Sequence, residues 1–313
     1  MTDRLPPLVV IGGATATGKT ELAIQLAERL QAEGRIAEVI SADSRQVYRG
    51  MDIGTAKASP ADRARVPHHG LDLADPDRPF TVAEFAQHAR GVLTALDARD
   101  GVAILVGGTG LYLRAVGRGM DTSSRPHDPA IRARIEAAYA ADGLDPLVAR
   151  LRRIAPNAAT RIDLRNSRRV IRALEVAEAI GDVEPPPPAG YPGPSVWIGL
   201  TVDAAVHHEW IRRRAEAQFA AGLIEEARSL RERYDPALRS FSAIGYREAW
   251  AVLDGTMTEV AAIELDARRN VAFAKRQRTW FRAEPDIAWL DATDSGVTDA
   301  AWPMVRAMLA EPS

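Results

Sequence analysis

Apolar residues in the first third of the chain alternate between strand-like runs and helical periods. Residues 8–12 and 37–44 are short β-rich runs, and residues 102–112 form a continuous apolar run that breaks into glycines. Between these runs, residues 19–33 and 80–101 have the period of amphipathic helices. Strands that alternate with helices in this way predict a parallel sheet with helices on both of its faces.

The pattern changes after Met120, where only helical periods follow. They end at the proline-rich stretch EPPPPAGYPGP, residues 184–194, which cannot continue a helix. Strand character returns at residues 195–203, and helical stretches come later, at residues 204–232, 244–254 and 257–282. We therefore predict an α/β domain formed by residues 1–120 together with 195–313, and an all-helical insertion domain formed by residues 121–194.

Composition and charge narrow the range of functions. The 313-residue chain contains no cysteine, which excludes disulfides, thiolate metal sites and cysteine nucleophiles. It has no apolar run of the roughly 20 residues that span a bilayer and no signal-peptide pattern, so we expect a cytoplasmic protein that does not bind membranes. Eight arginines and a single acid occur between Arg150 and Arg172, although the formal net charge is only −2. This basic segment predicts an anionic partner, and a solvated helix face is the alternative.

A glycine-rich turn separates the first predicted strand from the first predicted helix. Its residues, Gly13-Ala14-Thr15-Ala16-Thr17-Gly18-Lys19-Thr20, fit the phosphate-loop pattern G-x-x-x-x-G-K-[ST]. Backbone N–H groups close around an anion in such a loop, and the helix N-terminus adds the positive end of its dipole. In this pattern Lys19 reaches the outer phosphate, and the Thr20 hydroxyl binds Mg²⁺, which we expect as the cofactor. The predicted fold class is an α/β, P-loop NTPase-like parallel sheet flanked by helices, with an all-helical insertion.

Two further polar groups follow the ends of predicted strands. Asp43, in the segment ISADSRQVYRGMDIGTAK, stands where α/β sheets place ligand contacts and can accept a proton from a nucleophile. The alternative is that Asp43 only caps the next turn. In GGTG, residues 107–110, the glycines allow close backbone approach and Thr109 presents a hydroxyl. A purely structural turn is the alternative for this segment.

Seven segments resemble, in their order and spacing, the family of tRNA dimethylallyltransferases, the isopentenyltransferases of bacterial tRNA. They are GGATATGKT, ISADSRQVYRGMDIGTAK, VPHHGLDLADP, VGGTGLY, RALEV, AIGYREAW and AKRQRTWFR, within roughly residues 8–290. The resemblance implies transfer of a dimethylallyl group from dimethylallyl diphosphate (DMAPP) to the exocyclic N6 amine of the adenosine 3′ of the tRNA anticodon. It also implies that the phosphate loop holds the diphosphate of DMAPP rather than ATP.

The resemblance also implies roles for individual residues. Asp43 is expected to act as the general base or to orient the amine, and Thr109 to lie beside the reacting centre. Arg132 is expected to close over the site, and Arg214 to contact the diphosphate. By the same resemblance, the residues expected to contact tRNA are Asp43, Ser44, Arg45, Gln46, Thr109 and Arg132. Arg45 departs from the family pattern, in which methionine is more common at this position.

Basic helix faces extend the expected interface with the tRNA anticodon stem. In NSRRVIRALEV, Asn166 or Ser167 can cap a helix, and Arg168 and Arg172 then share one face that suits backbone phosphates. A second basic face is predicted near the C-terminus, where we expect the aromatic residues Phe273 and Trp280 to be part of the core. The residues assigned to tRNA binding on these helices are Arg168, Arg169, Arg172, Lys275 and Arg276.

Two other functions are open from the residues alone. A small-molecule kinase of the nucleotide type also begins with a phosphate loop on a short α/β domain, but it usually has a short lid rather than an insertion of about 70 residues. A non-catalytic RNA-binding ATPase is less favoured because the strand at residues 102–106 ends in glycines rather than acids. The leading prediction is an enzyme, expected to be monomeric, with tRNA and DMAPP as substrates.

Overall fold

The structure, a computed structural model, describes residues 4–122 and 126–310. The parts of the predicted domains at residues 1–3, 123–125 and 311–313 lie outside the described residues. Within the described ranges six strands form one sheet: β1 (Leu8–Gly13), β2 (Ala37–Ser41), β3 (His68–His69), β4 (Val102–Gly107), β5 (Ser195–Thr201) and β6 (Ala288–Asp291). Their order is β3-β2-β4-β1-β5-β6, and every neighbouring pair is parallel. The predicted fold class is therefore confirmed.

Helices connect the strands and extend the chain. They are α1 (Lys19–Ala32), α2 (Pro60–Arg65), α3 (Val82–Asp97), α4 (Gly110–Gly117), α5 (Pro129–Asp142), α6 (Asp145–Ile154), α7 (Pro156–Arg161), α8 (Ser167–Ile180), α9 (Ala204–Ala220), α10 (Leu223–Arg233), α11 (Tyr246–Leu253), α12 (Glu259–Arg282) and α13 (Val297–Ala310). A 3₁₀ turn, Arg239–Ser242, precedes α11. Within the described residues, none of these helices is both long enough and apolar enough to cross a membrane.

Both faces of the sheet are buried. Leu8 and Val10 point to a core formed with helices that include α3, α4, α10 and α11, whereas Val9 and Ile11 point to a core formed with α1 and α13. Successive side chains of a strand point to opposite faces, so a strand covered on both sides is a continuous apolar run. This is why β1 and β4 were recognisable in the sequence.

The register of the strands brings three loops to one edge of the sheet. Gly12 of β1 pairs with Gly107 of β4, and Ser41 of β2 pairs with Val106 of β4. The residues that follow β1, β2 and β4 therefore leave the sheet side by side at its carboxyl edge, where α/β folds bind their ligands.

Helix boundaries differ from the sequence predictions in one place that matters for the site. Residues 204–232 were predicted as a single helix, but the structure contains two, α9 and α10. The break occurs at Gly222, whose φ of 102° is a left-handed conformation that ends α9 and begins α10. The prediction was wrong because the apolar period continues on both sides of a single glycine.

The chain divides into two compact units. The core unit contains residues 1–119 and 190–313, and the insertion unit contains residues 120–189. The insertion unit has its own apolar core, in which Ile135, Leu151 and Leu174 are fully buried. Asn166 caps α8 by accepting a hydrogen bond from the Arg169 amide.

The end of the proline-rich stretch belongs to the core unit. The Tyr191 hydroxyl donates a hydrogen bond to the Pro6 carbonyl at 2.6 Å, and the Leu5 amide donates to the Pro192 carbonyl at 3.0 Å. These bonds attach the start of β5 to the segment before β1.

Candidate active site

The phosphate loop joins β1 to α1 through two left-handed residues. Ala16 has a φ of 58° and Gly18 a φ of 77°, and Gly18 is the N-cap of α1. The Thr17 hydroxyl donates to the Ala14 carbonyl at 3.0 Å, which closes the loop on itself. The N-terminus of α1 and the amides that precede it are consequently available to an anion.

Two cationic side chains from different helices lie at this loop, Lys19 buried and Arg214 half-buried. Lys19 of α1 contacts the Ala14 carbonyl through Nζ, and Arg214 of α9 donates from Nη1 to the Thr15 hydroxyl at 2.6 Å. Burial, and secondarily the neighbouring Arg214, lower the pKa of Lys19 to about 7, against a smaller opposing effect of Asp43. Burial also lowers the pKa of Arg214. Because burial disfavours the charged form of both side chains, a bound anion would stabilise the two cations.

Asp43 follows β2 and forms a turn with one of its carboxylate oxygens. Oδ1 accepts a hydrogen bond from the Arg45 amide at 2.8 Å, as in a side-chain-closed turn. Oδ2 has no partner among the residues that the structure describes. The turn-capping alternative is therefore correct for one oxygen, while the second oxygen of the same carboxylate is available to a ligand.

Thr109 joins the loop after β4 to the turn after β2. Its hydroxyl accepts a hydrogen bond from the Ser44 amide at 3.0 Å, and its own amide donates to the Ala42 carbonyl at 3.2 Å. The two loops come so close that a Cβ on Gly107 would lie 2.1 Å from the Ala42 oxygen. The glycines of GGTG therefore do allow the close backbone approach that the sequence predicted.

A cavity of about 190 Å³ lies in the core unit at the carboxyl edge of the sheet. The predicted site residues along its wall are Thr15, Ala16, Thr17, Gly18, Lys19, Thr20, Asp43, Gln46 and Arg214. The phosphate loop, the acid and the second cation thus share one cavity.

The cavity is also lined by residues that the sequence analysis did not assign to the site, among them His68, Phe273 and Gln277. Phe273 was expected in the core, but it is 36% exposed, so this expectation was wrong. His68 Nδ1 lies 2.7 Å from the Val66 carbonyl, and its buried Nε2 has no hydrogen-bond partner in the described chain. His68 and Gln277 belong to the segments VPHHGLDLADP and AKRQRTWFR, which carried the resemblance without a role for each position, and Phe273 immediately precedes the second segment.

Arg45 and Gln46 are engaged with the protein itself. Arg45 donates from Nη1 to the Arg239 carbonyl at 3.0 Å and from Nη2 to the Ser242 hydroxyl at 2.8 Å. Gln46 accepts a hydrogen bond from the Ser41 hydroxyl and donates to the carbonyls of residues 55 and 56. Both side chains therefore fix the loops around the cavity, whether or not they also contact a substrate.

The insertion unit contains the remaining arginines of the expected site. Arg132 of α5 forms ion pairs with Glu136 at 2.9 Å and with Glu175 at 3.2 Å. Arg172 of α8 pairs with Glu175 at 3.0 Å and donates to the Pro126 carbonyl at 2.9 Å. The Glu175 side chain has no solvent exposure, so these two arginines neutralise a buried carboxylate of their own unit.

The other predicted tRNA-binding cations are exposed to solvent. Arg168 and Arg169 lie on the surface of α8, and among the described residues neither side chain forms a hydrogen bond or a close ion pair, although Arg169 is near enough to Asp163 to help lower the pKa of that carboxyl. Lys275 and Arg276 are exposed on α12, where the Arg276 guanidinium lies 5.6 Å from the centre of the Phe273 ring. Trp280, on the same helix, packs against the core as expected.

Metal-binding groups are sparse around the cavity. Among the described residues, no cluster of three or more histidine, cysteine, aspartate or glutamate side chains could hold a metal ion. The Thr20 hydroxyl lines the cavity and has no hydrogen-bond partner in the described chain. Mg²⁺ is commonly held by one or two protein oxygens together with phosphate oxygens and water, so this donor fits magnesium bound with a diphosphate.

The fold and the cavity define a phosphate-loop α/β protein with an acidic side chain opposite its anion site. The family model for IPP transferase matches residues 46–284 of this chain. The chain therefore belongs to the IPP transferase family. A tRNA dimethylallyltransferase of Symbiobacterium thermophilum is 44% identical over 92% of this chain and 90% of its own length. Another, from a Roseiflexus species, is 43% identical over 96% of this chain and 98% of its own length.

Solved structures agree with these sequence relatives. The full-length tRNA isopentenylpyrophosphate transferase of Bacillus halodurans superposes with a TM-score of 0.69 at 39% identity, covering 97% of this chain and 95% of its own. A eukaryotic dimethylallyltransferase acting on tRNA superposes with a TM-score of 0.77 at 25% identity, covering 96% of this chain and 78% of its own. The comparisons support a tRNA-modifying prenyltransferase rather than the kinase alternative.

Proposed function

We propose that this protein transfers a dimethylallyl group from DMAPP to the exocyclic N6 amine of the adenosine 3′ of the anticodon in tRNA. The observation that carries the proposal is the position of Asp43 in the same cavity as the phosphate loop, Lys19 and Arg214. A site for a diphosphate and an acid for the attacking amine are the two requirements of this reaction. The names of the relatives support tRNA as the acceptor.

The phosphate loop and its two cations, Lys19 and Arg214, bind and stabilise the leaving group in this proposal. The amides of the loop and the α1 N-terminus surround the diphosphate, and Lys19 and Arg214 oppose the charge that develops as it departs. Thr20 would hold Mg²⁺ at this position, where the ion would neutralise part of the same charge. Burial and the neighbouring Arg214 lower the pKa of Lys19, and a bound diphosphate would oppose this shift because it favours the charged form.

Asp43 acts on the nucleophile. The lone pair of the N6 amine is delocalised into the purine, so the amine gains nucleophilicity when its proton is removed as the new bond forms. The N6–C1 bond forms, the C1–O bond to the diphosphate breaks, and the bonding electron pair leaves with the diphosphate. The amine proton passes to Asp43, whose Oδ2 is the unpartnered oxygen.

Exposed cations position the tRNA backbone in the same proposal. We assign phosphate contacts to Arg168 and Arg169 on α8 and to Lys275 and Arg276 on α12, because these side chains are solvent-accessible. Arg132 donates from Nε to Glu136 and from Nη1 to Glu175, which, among the described residues, leaves its Nη2 donors for a phosphate of tRNA. The expected cytoplasmic location and monomeric state remain predictions.

The test is to incubate the protein with unmodified tRNA, magnesium and DMAPP labelled in its five-carbon group, and in parallel with labelled ATP. Transfer of the prenyl label to RNA, with no turnover of ATP, is the expected result. Turnover of ATP without prenyl transfer would contradict the proposal and would restore the kinase alternative.

A further inference from the structure

Thr15 of the phosphate loop is held from outside the loop by side chains of α9 and α12. Its amide donates to Oε1 of Gln277 at 2.8 Å, and its carbonyl lies 2.8 Å from Nε2 of His207. Its hydroxyl accepts the hydrogen bond from Arg214 described above. The Thr15 amide is therefore occupied by the protein, and the anion is left with the amides that follow it along the loop.

The same Gln277 side chain contacts a second loop of the site. Its Nε2 donates to the Gly108 carbonyl at 3.0 Å, and a Cβ on Gly108 would lie 2.3 Å from this nitrogen. The two contacts determine the orientation of the amide, because the Thr15 amide needs an acceptor and the Gly108 carbonyl needs a donor. Gln277 is only 6% exposed, so losing either bond would leave buried polar groups unpaired.

We propose that Gln277 is a positioning residue. It sets the distance between the phosphate loop, which holds the diphosphate, and the turn of Asp43, where the accepting amine is bound. The phosphate loop carries the leaving group, and the loop after β4 continues from Gly108 to Thr109, which binds the turn of Asp43 through Ser44. The Gln277 amide is the bridge between these two loops. The proposal rests on the proposed function, in which the allylic carbon moves from one side to the other.

Transfer reactions are sensitive to this distance. A displacement of about 1 Å between reacting groups costs up to roughly a hundredfold in rate. A glutamine suits the bridge because its terminal amide accepts and donates at once, whereas an ionised glutamate only accepts and a methionine does neither. The identity of this residue therefore affects the rate of transfer more than the affinity for tRNA.

The first experiment compares Gln277→Met, Gln277→Glu and the wild-type enzyme in prenyl transfer to tRNA at saturating DMAPP. We expect Gln277→Met to lower kcat by about ten- to a hundredfold and to leave the tRNA dissociation constant nearly unchanged. The activity of Gln277→Glu relative to wild type should rise as the pH is lowered, because a protonated carboxyl can again accept from Thr15 and donate to Gly108. The relative activity of Gln277→Met should not respond to pH.

The matched control is Thr279→Ala, a neighbouring position on α12. Thr279 is exposed, and within the described ranges its hydroxyl bonds only to the Lys275 carbonyl of its own helix, so this variant should transfer prenyl groups at the wild-type rate. A wild-type kcat for Gln277→Met, or an equal loss of tRNA affinity and kcat, would overturn the positioning role. Absence of transfer by the wild-type enzyme would instead contradict the proposed function.

Thermal unfolding tests the contact itself, independently of activity. Gly108→Ala should lower the melting temperature of the otherwise wild-type chain, because the new methyl group meets the Gln277 amide. In a Gln277→Ala background the methyl group no longer meets an amide, so Gly108→Ala should lower the melting temperature by less. An equal decrease in melting temperature in both backgrounds would show that Gln277 does not contact Gly108 in solution.

Discussion

The Thr109 hydroxyl accepts a hydrogen bond from the Ser44 amide at 3.0 Å and so fixes the turn that presents Asp43. Thr109→Val removes this acceptor while keeping the size of the side chain. We expect kcat to fall by about ten- to a hundredfold because the acid is no longer held in place. Thr109→Ser keeps the hydroxyl and serves as the control. Steady-state kinetics with tRNA and DMAPP measure both variants, and equal rates for the two would contradict this role.

Asp43→Asn separates proton transfer from the structure of the turn. An asparagine oxygen can still accept from the Arg45 amide, as Oδ1 of Asp43 does at 2.8 Å, but it cannot take a proton from the amine. We expect turnover to fall by roughly a hundred- to ten-thousandfold and tRNA affinity to stay close to wild type. Rates come from prenyl-transfer assays and affinities from filter binding. Parallel losses in rate and affinity would indicate that the carboxylate is structural.

Binding of diphosphate should depend on pH through Lys19. Burial lowers the pKa of Lys19 to about 7, and a bound anion would raise it again because it favours the charged form. Below that pH Lys19 is already protonated, so its contribution to affinity is complete. Above that pH binding must take up a proton, and affinity for inorganic diphosphate should fall as the pH rises.

Calorimetry measures this proton uptake directly when the titration is repeated in buffers of different ionisation enthalpy. Lys19→Arg is the matched control, because a guanidinium remains protonated and the control also accounts for protons taken up by diphosphate itself. We expect more proton uptake in the wild-type protein than in Lys19→Arg at about one pH unit above the Lys19 pKa. Identical proton uptake by the wild-type protein and Lys19→Arg would show that Lys19 is not the group that takes up the proton.

Arginines of α8 should divide into two classes. Replacing the exposed Arg168 and Arg169 with alanine should reduce the slope of log K against log salt for tRNA by about two, since each phosphate contact contributes nearly one. The melting temperature of this double variant should be unchanged.

Arg172→Ala should instead lower the melting temperature, because Glu175 is fully buried and loses one of its cations. Binding titrations over a range of salt concentrations, together with thermal scans, distinguish the two, and a stability loss in the first variant would contradict this division.

Much of the core unit could be predicted from the sequence because its signals are local. A strand buried on both faces is a continuous apolar run, and the phosphate loop is a contiguous motif between a strand and a helix. The short edge strands β3 and β6 were missed, since two and four residues are too few for a period to be visible. The break at Gly222 was missed because one glycine does not interrupt an apolar pattern.

Contacts between elements account for what the sequence did not show at the site. The ion pairs of Arg132 and Arg172 with Glu175 depend on the packing of α5 against α8, which the sequence pattern does not show, and tRNA binding by Arg172 stays a prediction. Gln277 was overlooked because its two partners lie 262 and 169 residues away along the chain. The exposure of Phe273 likewise depends on the cavity that α12 borders, which no period in α12 encodes.

The pairing of β1 with β5, a strand far along the chain, has a consequence for biosynthesis. Leu8 at the start of β1 pairs with Ser195, so β1 has an unpaired edge until more than half of the polypeptide has emerged from the ribosome. At about 5–20 residues per second this interval lasts on the order of ten seconds or more, and an apolar edge strand is prone to aggregation in that time. The nascent chain is thus most exposed to chaperones before β5 is translated, while the insertion unit, whose core is continuous in sequence, can already fold.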